Sequence, residues 1–248
     1  LPDLTAPRTP PVYHKSPWTI YRGRSGWTYV GDADRRTGVH HLVARFDRDH
    51  GDGDIYAPDA RAFGRGGLGA LTMFPTDQVL LARLLADRRG ALLHGAGAVM
   101  GGRGLLFLHS SAGKSTICGQ LGRRATVLCD DRCIVRRDGK GFRLYGTWSH
   151  GTYAKVSPAS APLTGLFLLK QSRRNAVTPV SDRAEALQRL LPLAIKPLAT
   201  ADWWEKTLDT LQDLSGAVPA YELEFDRGGG IVGPLGSLLD GARRWGRT

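Results

Sequence analysis

Three cysteines in 248 residues are too few for a disulfide framework. Cys118, Cys129 and Cys133 therefore read as reduced thiols in or near the core of a cytoplasmic protein. Cys129-x-x-x-Cys133 lacks the second pair that a structural metal site would need. No apolar run approaches the ~20 residues required to span a bilayer, so no membrane segment is expected. No secretory signal is read either. Acidic residues are few beside basic ones, 23 against 34, giving a formal net charge of +11. The arginines lie in scattered pairs, from Arg35-Arg36 to Arg243-Arg244. They form no single stripe interleaved with aromatics, which argues for a solubilising surface over a nucleic-acid footprint. An acidic or phosphate-rich partner remains compatible.

The length suits one large domain, or a core domain with a smaller lobe. Residues 1–16 are Pro-rich and aperiodic and read as a flexible arm. Residues 17–69 read as a β-rich lobe, with strand patches at Thr19–Tyr21, Trp27–Val30 and His40–Phe46. Asp47, Asp49, Asp52 and Asp54 cluster in a turn whose spacing does not suit a calcium loop, so a solvated hairpin is expected. A Gly- and Arg-rich loop at 60–69 closes the lobe.

Beyond it, Pro75-Thr76-Asp77 opens a helix that Gly90 is expected to stop. A strand over Ala91–Val99 turns at Gly101-Gly102 into the apolar run Leu105–Leu108. Thr126–Cys129 reads as a buried strand, Asp138-Gly139-Lys140-Gly141 as a hairpin turn, and Leu166–Leu169 as a core strand. Helices are expected at Ser181–Leu191, Asp202–Leu214 and 237–244, with a late strand at Tyr221–Phe225.

The informative stretch is Leu108-His109-Ser110-Ser111-Ala112-Gly113-Lys114-Ser115-Thr116. It ends as a G-x-x-x-x-G-K-[ST] phosphate loop ends, with Leu108 where the first glycine belongs. A turn entering a helix aims unpaired N–H groups at an anion, and the helix dipole favours negative charge there. Gly113 lets the backbone approach phosphate, Lys114 brings a point charge to it, and the Ser115 hydroxyl can ligate Mg²⁺. Residues 109–116 are thus the candidate ATP cradle. Leu108 cannot take a left-handed backbone cheaply, so a stiffer or reshaped loop is expected. Asp130 and Asp131 end the next strand. One can orient Mg²⁺, for which Ser115 and Asp131 are the candidate ligands, while the other takes a proton from an attacking hydroxyl. His94, on the strand before the loop, reads equally as structural or as close to the phosphates. His109 could touch phosphate or face solvent.

Together, Leu93-His94-Gly95, Ser110-Ser111-Ala112-Gly113-Lys114-Ser115 and Leu128-Cys129-Asp130-Asp131-Arg132 resemble the catalytic domain of HPr kinase/phosphorylase. With Tyr145-Gly146-Thr147-Trp148 and Val218-Pro219-Ala220-Tyr221-Glu222-Leu223, the set is closer to shorter HPr-kinase-like proteins of bacterial biosynthetic clusters, including kinases of lasso-peptide precursors. The resemblance spans roughly residues 70–235. It implies an α/β, mixed-sheet P-loop core of the HPr kinase / phosphoenolpyruvate-carboxykinase-like type at 70–248, beside the small N-terminal β-rich lobe. It also implies ATP and Mg²⁺ as cofactors and transfer to a serine of a peptide or protein, with His94, Lys114, Asp130 and Asp131 catalytic. The base is one of the two aspartates. Homo-oligomers are compatible, since HPr kinases assemble into hexamers. The alternative is a catalytically degenerate nucleotide-binding sensor or scaffold, which Leu108 and Ser111 motivate.

Overall fold

The computed structural model describes residues 4–16, 18–33, 35–38, 40, 42–56, 76–109, 113–196 and 200–245, with no side-chain description at 76–79 and 241–245. The loop expected at 60–69 and the Pro75 helix start lie outside the described residues. Two units are distinguished, Leu1–Asp87 with Lys196–Lys206, and Arg88–Ile195 with Thr207–Thr248.

In the first unit, β1 (Tyr13–Lys15), β2 (Trp18–Arg22), β3 (Gly26–Gly31), β4 (Val43–Asp47) and β5 (Gly53–Tyr56) form an antiparallel meander in chain order. Alternation explains it. Trp18 and Ile20 on β2, Trp27 and Tyr29 on β3, and Ala44 on β4 point one way and build a small core. The end of the expected arm is not free, because Tyr13 pairs with Ile20 and makes Tyr13–Lys15 a strand. Three residues are too few for a period-two pattern to show. The aspartate-rich stretch is the β4–β5 turn, where the Asp47 carboxylate accepts from the Gly51 N–H at 2.7 Å.

Helix α1 (Thr76–Asp87) ends before the residue expected to stop it. The left-handed position is Arg89, at φ 54°, and Gly90 already pairs as a strand residue with Arg136.

The second unit is a mixed α/β structure on an eight-stranded mixed sheet. Its strands are β6 (Gly90–Met100), β7 (Arg103–Leu108), β8 (Thr126–Cys129), β9 (Arg132–Asp138), β10 (Gly141–Tyr145), β11 (Ser160–Gln171), β12 (Ala176–Val180) and β13 (Ala220–Phe225). Its helices are α2 (Lys114–Leu121), α3 (Arg183–Leu190), most of α4 (Ala201–Ala217) and α5 (Val232–Trp245). The path runs β10-β9-β6-β7-β11-β13-β12, and β10 also pairs with β11. Strands β7, β11 and β13 are mutually parallel.

As expected of parallel strands covered on both sides, Leu105–Leu108 is buried throughout. Leu105 and Phe107 pack with Ile117 and Leu121 of α2 and Leu235 of α5. Leu106 and Leu108 face the opposite core, with Leu190 of α3 and Leu211 and Leu214 of α4. The Gly101-Gly102 turn takes two positive φ angles, 58° and 77°, as a two-residue hairpin demands. Strand β12 carries Pro179, which a sheet tolerates at its edge, and β12 is an edge strand.

Strands β8 and β9 run one after the other along β6, with Asp130-Asp131 between them. Cys129 sits opposite Gly97 and Arg132 opposite His94. The aspartates therefore interrupt a long strand path, and the Gly95 N–H to Asp131 carbonyl bond at 3.0 Å holds it together. Between Gly97 and Ala98 the register slips by one residue, which makes Leu128 the extra residue of a bulge.

Candidate active site

The loop leaves β7 at Leu108, which is extended, buried and paired with Gly95 and Leu168. That position asks for no left-handed backbone, so the strain expected of a leucine there does not arise. The left-handed turn falls on Gly113, at φ 113°. A Cβ on Gly113 would also lie 2.8 Å from Phe225 Cζ, so the residue has two reasons to be glycine. Ser110, Ser111 and Ala112 lie outside the described residues.

Lys114 begins α2 and is only 5% exposed. Its Nζ donates to the His109 carbonyl at 2.9 Å. Burial pulls the Lys114 ammonium below its ordinary pKa, while the charges of Asp131 and Asp130 oppose that shift. The His109 imidazole is lowered by burial and then by the charges of Lys114 and Arg189. Thr116 is half-buried on the first turn of α2.

The two aspartates face different partners. Asp130 is 2% exposed. It accepts from Ser115 Oγ at 2.5 Å, from the Gly151 N–H at 2.5 Å and from the Tyr153 N–H at 2.9 Å. Burial alone would raise its pKa, but these three donors outweigh it and hold the carboxyl below the usual range. Asp131 accepts from Ser149 Oγ at 2.5 Å. His94 Nε2 lies 3.4 Å from its other oxygen, and Arg132 Nε lies 3.6 Å away. The carboxylate beside Ser115 is thus that of Asp130, whereas the sequence paired Ser115 with Asp131. Burial lowers the His94 imidazole first, Lys114 lowers it further, and the Asp131 charge partly restores it.

Over the aspartates runs the segment 146–157, which follows β10. Thr147 Oγ1 donates to the Arg132 carbonyl at 2.7 Å and accepts from the Ser149 N–H at 3.1 Å. Ser157 N–H donates to the Leu128 carbonyl at 2.9 Å. Thr152 Oγ1 is 3.4 Å from Ser115 Oγ. Trp148 is 53% exposed. Ser149, Gly151, Thr152 and Tyr153 are site residues that motif reading missed. Their one signal was the Tyr145–Trp148 motif at the head of the segment. Beneath, Cys118, Cys129 and Cys133 are buried and free, with the last two sulfurs 3.2 Å apart.

The described residues contain a hydroxyl and a carboxylate side by side, a buried lysine on a helix start, and a second carboxylate holding a serine hydroxyl. Such a set can neutralise a polyanion and accept a proton from an alcohol.

Residues 71–233 match the model of the family described as SynChlorMet cassette protein ScmC, and the chain belongs to that family. Among solved structures, the Hpr(Ser) kinase/phosphatase from Coxiella burnetii is similar at 9% identity and a TM-score of 0.36, over 63% of this chain and 99% of that one. No curated protein matches the chain. No helix among the described residues is long and apolar enough to cross a membrane.

Two outcomes are expected of this geometry. A Cβ at Gly146 would lie 2.5 Å from the Ser157 carbonyl and 2.8 Å from that of Leu128, both backbone atoms. Gly146→Ala should therefore cost about 1–3 kcal/mol in urea unfolding, and an unchanged midpoint would contradict the close crossing. His94 should titrate below the ordinary imidazole value by NMR. Asp131→Asn should move that midpoint lower still, because the carboxylate is what props it up.

Proposed function

We propose that this ScmC-family chain is an ATP- and Mg²⁺-dependent kinase that transfers the γ-phosphate to a serine hydroxyl. The acceptor would be a peptide or protein, a biosynthetic precursor peptide among the possibilities that a cassette protein suggests. The observation that carries the reading is the 2.5 Å pairing of Ser115 with Asp130 on a helix that starts at Lys114. A hydroxyl and a carboxylate are the hard oxygen donors that Mg²⁺ prefers. Ser115 and Asp130 are therefore the residues that would hold it. When bound, the ion supplies positive charge to the phosphate oxygens.

The chain's own groups divide the remaining work. Lys114 exchanges its bond to the His109 carbonyl for one to phosphate, and the first N–H groups of α2 point at the same anion. Asp130 accepts from three donors and is kept ionised, which suits an electrostatic role. Asp131 is the better base, because it is partly open to solvent (24% side-chain exposure) and already accepts from an alcohol. His94, largely neutral at pH 7 by the direction of its shift, steadies the Asp131 carboxylate. Arg132, beside Asp131, can offset charge on the transferring group.

The rival is a nucleotide-binding scaffold without transfer chemistry, motivated by Leu108 and Ser111. The extended backbone at Leu108 weakens the first motive, and Ser111 lies outside the described residues.

Lys114→Ala tests the proposal. ADP formation in the presence of Mg²⁺ should fall roughly 100-fold or more. The fold should persist, because removing a desolvated ammonium relieves a burial cost. A turnover rate equal to the parent's would refute the assignment, and tight ATP binding with no ADP from the parent protein would favour the scaffold.

A further inference from the structure

We infer that Ser149 is an acceptor of the chain's own phosphoryl transfer, so that the protein phosphorylates itself at this residue; the inference rests on the kinase reading above. The base in that reading needs a serine hydroxyl hydrogen-bonded to the Asp131 carboxylate. The chain provides one itself. Ser149 Oγ donates to Asp131 Oδ2 at 2.5 Å, within the range of a charge-assisted O–H···O⁻ bond.

The segment carrying Ser149 is fixed to the site on both sides of it. Thr147 Oγ1 is bonded to the Arg132 carbonyl and takes the Ser149 N–H, which sets the direction in which Ser149 projects. The Gly151 and Tyr153 N–H groups both hold Asp130, the carboxylate bonded to Ser115. The same segment thus holds both aspartates, and the Lys114 charge acts on both of them. The neighbouring Trp148 is 53% exposed and Ser149 is half-buried, so the hydroxyl is not sealed in the core.

The step balances without any further reactant than ATP. A lone pair of Ser149 Oγ forms the bond to the γ-phosphorus, the bond from that phosphorus to the β–γ bridging oxygen breaks, and ADP departs with the electron pair. The hydroxyl proton passes to Asp131. The product phosphoserine carries about −1.5 to −2 charge at pH 7. It would sit against the Asp131 carboxylate and could no longer donate to it, so the segment 146–157 would have to shift. Phosphorylation at Ser149 thus alters the place where an external serine would bind.

The test is incubation of the full chain with ATP and Mg²⁺, followed by intact mass and by residue mapping of the tryptic peptide 144–155, alongside ADP measurement and labelling of an added serine-containing peptide library. The expected result is one added phosphoryl group, mapped to Ser149, at a first-order rate independent of protein concentration and absent in Ser149→Ala. Mapping on the parent protein does not depend on that variant folding. If ADP forms or the library is labelled while Ser149 stays unmodified, or if the phosphate maps to Thr147 or Thr152, the inference falls and the kinase reading stands. If neither ADP nor any phosphorylated species appears, both fall.

Discussion

The bulge at Leu128 is the constraint on which the site depends. A regular ladder would send successive side chains to opposite faces of the sheet. Here Val127 packs in one core, while Leu128 and Cys129 both pack in the other. The slip frees the Leu128 carbonyl from β6 and turns it toward Ser157, whose N–H it accepts. That bond, with the close crossing at Gly146, fastens the segment 146–157 over the broken strand. Only then can the Gly151 and Tyr153 N–H groups reach Asp130 and Ser149 reach Asp131. Without the bulge, neither aspartate would have these partners.

The electrostatics follow from that placement. Two adjacent carboxylates would repel if both were left to solvate alone. Three donors on Asp130 hold it charged at a buried position, and Ser149, His94 and Arg132 share Asp131. Lys114 is the buried cation close enough to feel both. Its ammonium is destabilised by burial, and a polyanion arriving at the loop would restore what desolvation has removed.

What the sequence showed and what it hid have physical reasons. Leu105–Leu108 was legible because a strand covered on both faces is a continuous apolar run. Gly101-Gly102 and Asp138–Gly141 were legible because tight turns demand particular residues. The loop lysine and serine and the two aspartates announced themselves by type and spacing. Which aspartate meets Ser115 could not be read, because a register slip at Leu128 reverses the direction in which neighbouring side chains point. Gly151 and Tyr153 contribute backbone N–H groups, which leave no mark on residue identity. Tyr13–Lys15 is too short for a pattern, β12 carries a proline that reads against a strand, and Arg89 takes a left-handed turn that one would assign to Gly90.

The late Val218–Leu223 segment looks remote from the loop in sequence, yet the sheet explains why it accompanies the loop motif. Phe107, Phe167 and Tyr221 lie side by side on β7, β11 and β13, in register across the three parallel strands. Their rings stack in a row, each 5.4 Å from the next. A slip of one residue on any of these strands would turn its ring to the opposite face and break the row. The same register carries β13 on to Phe225, whose ring stands where a Gly113 side chain would be. The aromatic row thus sets the height of Phe225, and Phe225 in turn admits only a glycine at the loop's last turn before Lys114. A change at Tyr221 can therefore reach the loop before Lys114 without touching it, through the position of one strand end.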